Sequence, residues 1–118
     1  MLPRPRTEII APAGCRDADA NIHALSYSTE GATLLAGDDW TDESHGGRPQ
    51  YERADGRNRW LYVTPAGSYF VLDQGPRSHC TDRIEPVSKV GAMGYWTDLR
   101  NQRVTFAEAF HGVEVRPA

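Results

Sequence analysis

The residues able to do chemistry are concentrated in two stretches of this 118-residue chain. DDWTDESHGGRPQYERADGRN, residues 38–58, carries Asp38, Asp39, Asp42 and Glu43 ahead of the Gly46-Gly47 pair. Arg48, Arg53, Arg57 and Arg59 follow it, set against Glu52 and Asp55. QGPRSHCTDR, residues 74–83, places His79 beside Cys80. Metal-free RNA cleavage needs a carboxylate or imidazole base, an imidazole acid and guanidinium groups on the phosphate. Glu52, Arg57, Arg59 and His79 are the right types for a small ribonuclease-like enzyme, although such residues occur in most chains of this length. Zinc would require His45, His79, Cys80 and an acid to meet across loops, and the chain has neither CxxC nor HxxxH. The acidic run lacks the central Gly and terminal Glu of a calcium loop. A thiol nucleophile at Cys80 would need His23 or His45 brought to it. Dinucleotide, P-loop and nucleophile-elbow fingerprints are absent from the sequence, so no metal and no cofactor is expected.

Composition bounds the other classes. A net charge of −3 lacks the basic footprint of a protein that neutralises many phosphates. No run approaches the ~18 apolar residues of a membrane span, and MLPRPRTEII has no apolar signal-peptide core. The reading is a cytoplasmic protein with Cys15 and Cys80 as thiols. Its length suits one domain with one core. Pro3, Pro5, Pro12 and Gly14 mark residues 1–20 as a flexible arm with a short extended piece at 7–11, leaving a single domain over 21–118.

The positioning elements follow from local patterns. Ile22–Tyr27 and Ala32–Leu35, separated by Thr29-Glu30-Gly31, suit a hairpin, with a short helix after Asp17 as the competitor for the first segment. Residues 38–58 read as a long loop with at most a short strand at Tyr51–Arg53. Ser88 is a suitable N-cap for a helix over 89–99, where Ala92, Met93, Trp96 and Leu99 share a stripe. Gly91 and Gly94 weaken that helix, so contact with a sheet is expected to hold it. Thr105-Phe106-Ala107-Glu108 is a capping box opening one turn to Phe110, and VEVRPA is a strand or a tail. The fold class is α+β: a small antiparallel sheet with one main helix on one face.

RWLYVTPAGSYFVLD, residues 59–73, centres that sheet. Pro65, Ala66 and Gly67 suit the αR, αR and αL sites of a three-residue loop, which pairs Val63 with Tyr69, Tyr62 with Phe70, Leu61 with Val71 and Trp60 with Leu72. One face then carries Trp60, Tyr62, Phe70 and Leu72, the other Leu61, Val63, Tyr69 and Val71. Neither is polar, and the helix covers only one. The other must meet its own chain, a second copy or another protein. Trp and Tyr on a sheet face are strong interface anchors. Trp60, Tyr62 and Phe70, with Asp38, Asp39, Trp40, Arg53 and Arg57 of the charged loop, are therefore the candidate partner-binding residues. Stacking of single-stranded bases on the same aromatics would want a more basic surround.

WLYVTPAGSYFVL, then IEPVS, a helix containing YW, and FAEAFHGVEV resemble small uncharacterised proteins encoded on bacterial phages, plasmids and other mobile elements. The resemblance covers residues 60–113. It implies no catalytic residue; it implies a role of blocking or redirecting a host complex, as anti-CRISPR proteins do. The leading expectation is a non-enzymatic protein-binding module, an inhibitor of a bacterial defence or regulatory complex. The ribonuclease-like enzyme and a homodimer that pairs its own apolar face are the alternatives.

Overall fold

The computed structural model describes residues 3–11, 24–38, 57–75 and 82–118. Its elements run β1 (Thr7–Ile10), β2 (Leu25–Ser28), β3 (Thr33–Gly37), β4 (Asn58–Val63), β5 (Tyr69–Gln74), β6 (Arg83–Val87), α1 (Lys89–Asp98), β7 (Asn101–Gln102) and α2 (Phe106–Ala109). The fold is α+β: a five-stranded antiparallel sheet ordered β6-β5-β4-β3-β7, a two-stranded sheet β1-β2, and one main helix packed on the larger sheet.

The central hairpin forms in the register its turn chemistry requires. Thr64 N–H donates to Ser68 O and Gly67 N–H to Thr64 O, both at 2.9 Å, closing the loop Pro65-Ala66-Gly67. Gly67 takes the left-handed site at φ +89°, where a Cβ is disfavoured. Val63 opposes Tyr69, Tyr62 Phe70, Leu61 Val71 and Trp60 Leu72.

The segments before it pair differently from the expected hairpin of residues 22–27 with 32–35. β2 pairs with β1, from Thr7–Ser28 to Ile10–Leu25, and β3 pairs with β4. A turn in which Ala32 N–H donates to Thr29 O, with Gly31 at φ +76°, carries the chain between the two sheets. An isolated two-stranded hairpin is marginal in water, whereas β3 beside β4 extends a sheet that is apolar on both faces. A bulge between Leu34 and Ala36 lets β3 bury both Leu35 and Ala36 in the core on the helix side.

Two cores result, one on each face. Leu61 and Val71 pack with Leu35, Ala92, Leu99 and Phe110 beneath α1 and α2. Trp60, Tyr62, Phe70 and Leu72 pack with Ile84 and Tyr27, so β1-β2 lies over the second face. There Tyr62 stacks on Phe70 at 5.2 Å between ring centroids, and Tyr27 meets Phe70 edge-on at 5.9 Å. Within the stretch read as an arm, β1 is tied to the main sheet. Arg4 N–H donates to Gln74 Oε1 at 2.9 Å, Gln74 Nε2 donates back to Arg4 O at 2.8 Å, and the Arg4 guanidinium reaches Asp82 at 2.9 Å.

Both helix starts follow their caps. Ser88 Oγ accepts from Gly91 N–H at 3.1 Å, and the Thr105–Glu108 box is complete. Gln102 Nε2 donates to Trp96 O at 2.8 Å and Leu99 O at 2.7 Å, satisfying carbonyls at the end of α1. Of the glycines of α1, Gly91 lies against Val87 of β6, where a Cβ would stand 3.7 Å from the Val87 Cβ, whereas a Cβ on Gly94 would meet nothing within 4 Å. Buried Ala92 and half-buried Met93 and Trp96 supply the rest of the helix contact. VEVRPA forms no strand.

Candidate functional site

The described site residues divide between the aromatic face of the sheet and its end away from the hairpin tip. Trp60, Tyr62 and Phe70 are 2%, 7% and 0% exposed, filling the core under β1-β2. Of the covers open to that face, the chain supplies its own. Trp60 Nε1 is buried there with no hydrogen-bond partner among the described residues.

At the end of the sheet away from the hairpin tip, Asp73 is 1% exposed and sits in a row with its cross-strand partners Arg59 and Arg83. Its carboxylate accepts from Arg57 Nε and from Arg59 Nε at 3.1 Å, while Arg83 lies at 3.6 Å. Arg57 also donates to Asp73 O at 3.1 Å. Burying a carboxylate is costly unless it is paired, and these guanidinium groups pair it. Asp38 is likewise buried, and its carboxylate accepts the Arg59 N–H at 3.0 Å while its own N–H donates to Arg59 O at 2.9 Å. Arg57 and Arg59, read from the sequence as phosphate holders, thus converge on a buried carboxylate. Asp39, Trp40, Glu52, Arg53 and His79 lie outside the described residues, as do His23, His45, Cys15 and Cys80. The zinc and thiol arrangements therefore lie outside them too. Among the described residues, no three His, Cys, Asp or Glu side chains stand together as metal ligands.

The outer edge of β6 is closed to strand addition. Ile84 N–H donates to the Glu8 carboxylate from β1, so Ile84 turns its backbone away from β5. Pro86, two residues on, shares that orientation and has no N–H.

An open concave surface lies at the hairpin-tip end, on the helix side; a second, of about 410 Å³, runs between β1 and β6 past Glu8, Ile10, Ile84 and Pro86. Thr33 begins β3, its partner Val63 ends β4, and Tyr69 begins β5, so all three point to the same face. With Leu35, Val104 and Ala109 they floor a trough of about 480 Å³ whose rim includes Lys89, Glu108 and His111. Each wall has a local cause. The Tyr69 hydroxyl donates to Ala109 O at 2.9 Å, fixing α2 over β5. Trp96 Nε1 donates to Val104 O at 3.2 Å, drawing the segment after β7 against α1. Lys89 Nζ donates to His111 O at 3.0 Å, bridging the start of α1 to the turn after α2. Glu108 Oε1 accepts the Thr105 N–H at 3.1 Å. That backbone bond, then the Thr105 hydroxyl and the nearby His111, hold the Glu108 carboxyl below its ordinary value.

Thr33, Val63, Tyr69, Lys89, Glu108 and His111 were not legible as a site in the sequence. The sole local signal is the three-residue spacing of Glu108 and His111 across the α2 turn. Among the described residues, no helix is long and apolar enough to cross a membrane. No family model, no curated protein and no solved structure matches the chain.

Proposed function

We propose that the chain is a non-enzymatic protein-binding module that receives its partner in the trough at the hairpin tip, not on the aromatic face. The observation carrying this reading is the trough itself. The aromatic face lies beneath β1-β2, while at the tip Val63 and Tyr69 stay half-buried on the floor of an open concavity of about 480 Å³. Apolar concavities of about 300–1,000 Å³ with a few polar groups at the rim are the usual form of a binding site. The closed edge of β6 disfavours the competing mode, in which a partner adds a strand there. An inhibitor of a bacterial defence or regulatory complex, of the kind the resemblance to mobile-element proteins implies, would act by such a contact. The ribonuclease-like reading draws no comparable support, because Arg57 and Arg59 are engaged with Asp73.

Two exposed positions test the assignment. Thr33→Arg places a long cation over the trough, whereas Ile9→Arg alters the exposed outer side of β1. With circular dichroism unchanged in both, Thr33→Arg is expected to abolish capture of the partner from a host lysate and Ile9→Arg to leave it intact. The reverse pattern overturns the trough as the contact surface.

A further inference from the structure

Resting on the trough as the binding site, the inference concerns what it takes. We infer that its ligand is an apolar group bearing a carboxylate, with the apolar part on Val63, Tyr69 and Val104 and the carboxylate on Lys89 Nζ.

The floor sets the first half. Val63, Val104 and the Tyr69 ring present carbon to the trough, because the one polar atom of the Tyr69 side chain is spent on Ala109 O. A group displacing water from that floor gains in proportion to its apolar area.

The rim sets the second half. Lys89 is exposed, and its ammonium carries three donors, of which one is used, on the neutral main-chain oxygen of His111. It forms no ion pair among the described residues, and the first turn of α1 contains no acid. Its charge therefore stands uncompensated at the edge of an apolar surface. The acid on the same rim, Glu108, is committed to the α2 cap, where the Thr105 N–H and hydroxyl keep it ionised and turned to the backbone. An anion thus finds two unused donors on Lys89 beside the apolar floor, and an amine probe tests whether a cation is taken by Glu108 instead. A carboxylate fits, since it accepts from an ammonium in a short charge-assisted bond.

Free small acids and the C-terminal residue of a protein share this chemistry. Three probes of one shape separate the possibilities on the full chain: 4-phenylbutyrate, 4-phenylbutyramide and 4-phenylbutylamine. Acetyl-Gly-Gly-Phe, with a free or an amidated C-terminus, tests the peptide source. Binding is read by amide chemical shifts in NMR titrations. The expected result is shifts at Val63, Tyr69, Val104 and Ala109, with the acid bound about ten-fold tighter than the amide, as for a hydrogen bond to a charged group. Lys89→Gln, which keeps a donor for His111 O, should make acid and amide equal, and Lys89→Arg should restore the difference.

Equal affinity for acid and amide, tighter binding of the amine, shifts elsewhere, or no shift with any probe overturns the inference. If the acid tripeptide binds at least as well as the small acid, a partner's C-terminus is the source. If the small acid is preferred, the inference stands and the protein-partner reading falls. If Thr33→Arg abolishes capture but no acid binds, the docking reading stands and this inference falls.

Discussion

Asp73→Asn removes one negative charge and almost no volume, so its effect isolates the electrostatics of the arginine row. In the native fold the Asp73 side chain is 2% exposed, and those of Arg57 and Arg59 are 19% and 21% exposed. Deleting one member of a buried ion pair typically costs about 3–5 kcal/mol, because its partner is left buried and unpaired. Arg57 and Arg59 retain some access to water, which places the cost near the lower end, about 3 kcal/mol. Arg83, 63% exposed at 3.6 Å, adds little, so Arg83→Gln should cost under about 1 kcal/mol. Against a net stability of about 5–15 kcal/mol, the loss at Asp73 is large. At about 4 °C per kcal/mol for a domain of this size, it lowers Tm by about 12 °C. Urea titration followed by tryptophan fluorescence and circular dichroism reads both variants. Asp73→Asn should lower the midpoint with an unchanged m value. A loss below about 1 kcal/mol, or an equal loss from Arg83→Gln, would refute the claim that the row exists to neutralise a buried carboxylate.

The same substitution should act with opposite sign at two glycines. Gly94→Ala in α1 meets open space and should stabilise by about 1 kcal/mol, whereas Gly67→Ala, at φ +89°, should destabilise by about 1–2 kcal/mol; thermal melts of both proteins check the pair. Glu108 is ionised at lower pH in the folded chain than in the unfolded one, so the unfolded chain takes up the proton first. Its contribution is complete above the ordinary carboxylate range and drains away as pH falls through its lowered value. Glu108→Gln, which can still accept the Thr105 N–H, should therefore flatten the acid limb of the stability curve, and an unchanged slope would count against the box as its origin. Pro86→Val restores an outward N–H on β6 and should raise self-association measured by light scattering, more so when combined with Glu8→Ala.

The case for docking changes with the fold. From residues alone, Trp60, Tyr62 and Phe70 have the character of interface anchors, and their cover is left open between the chain's own N-terminal arm or 106–110 helix, a second copy and another protein. In the structure they are core, because β1 and β2 meet from across the sequence and lie over them. The trough proposed as the binding surface is at the opposite face, lined by residues from Thr33 to His111. No spacing rule links residues contributed by so many separate elements, which is why the trough had no signature.

What this sequence determines by itself is what neighbours along the chain enforce. Gly67 supplies the left-handed site that makes the turn three residues long, and that length sets every pairing from Val63–Tyr69 to Trp60–Leu72. Ser88 and the Thr105–Glu108 box start their helices through bonds spanning three residues. The tertiary structure alone decides which strand joins which sheet, and what lies on each apolar face. Those choices rest on contacts such as Arg4 with Asp82 and Glu8 with Ile84, 78 and 76 residues apart. Burial of apolar area rewards any cover equally, without direction or address, so its partner is selected only when the whole chain closes.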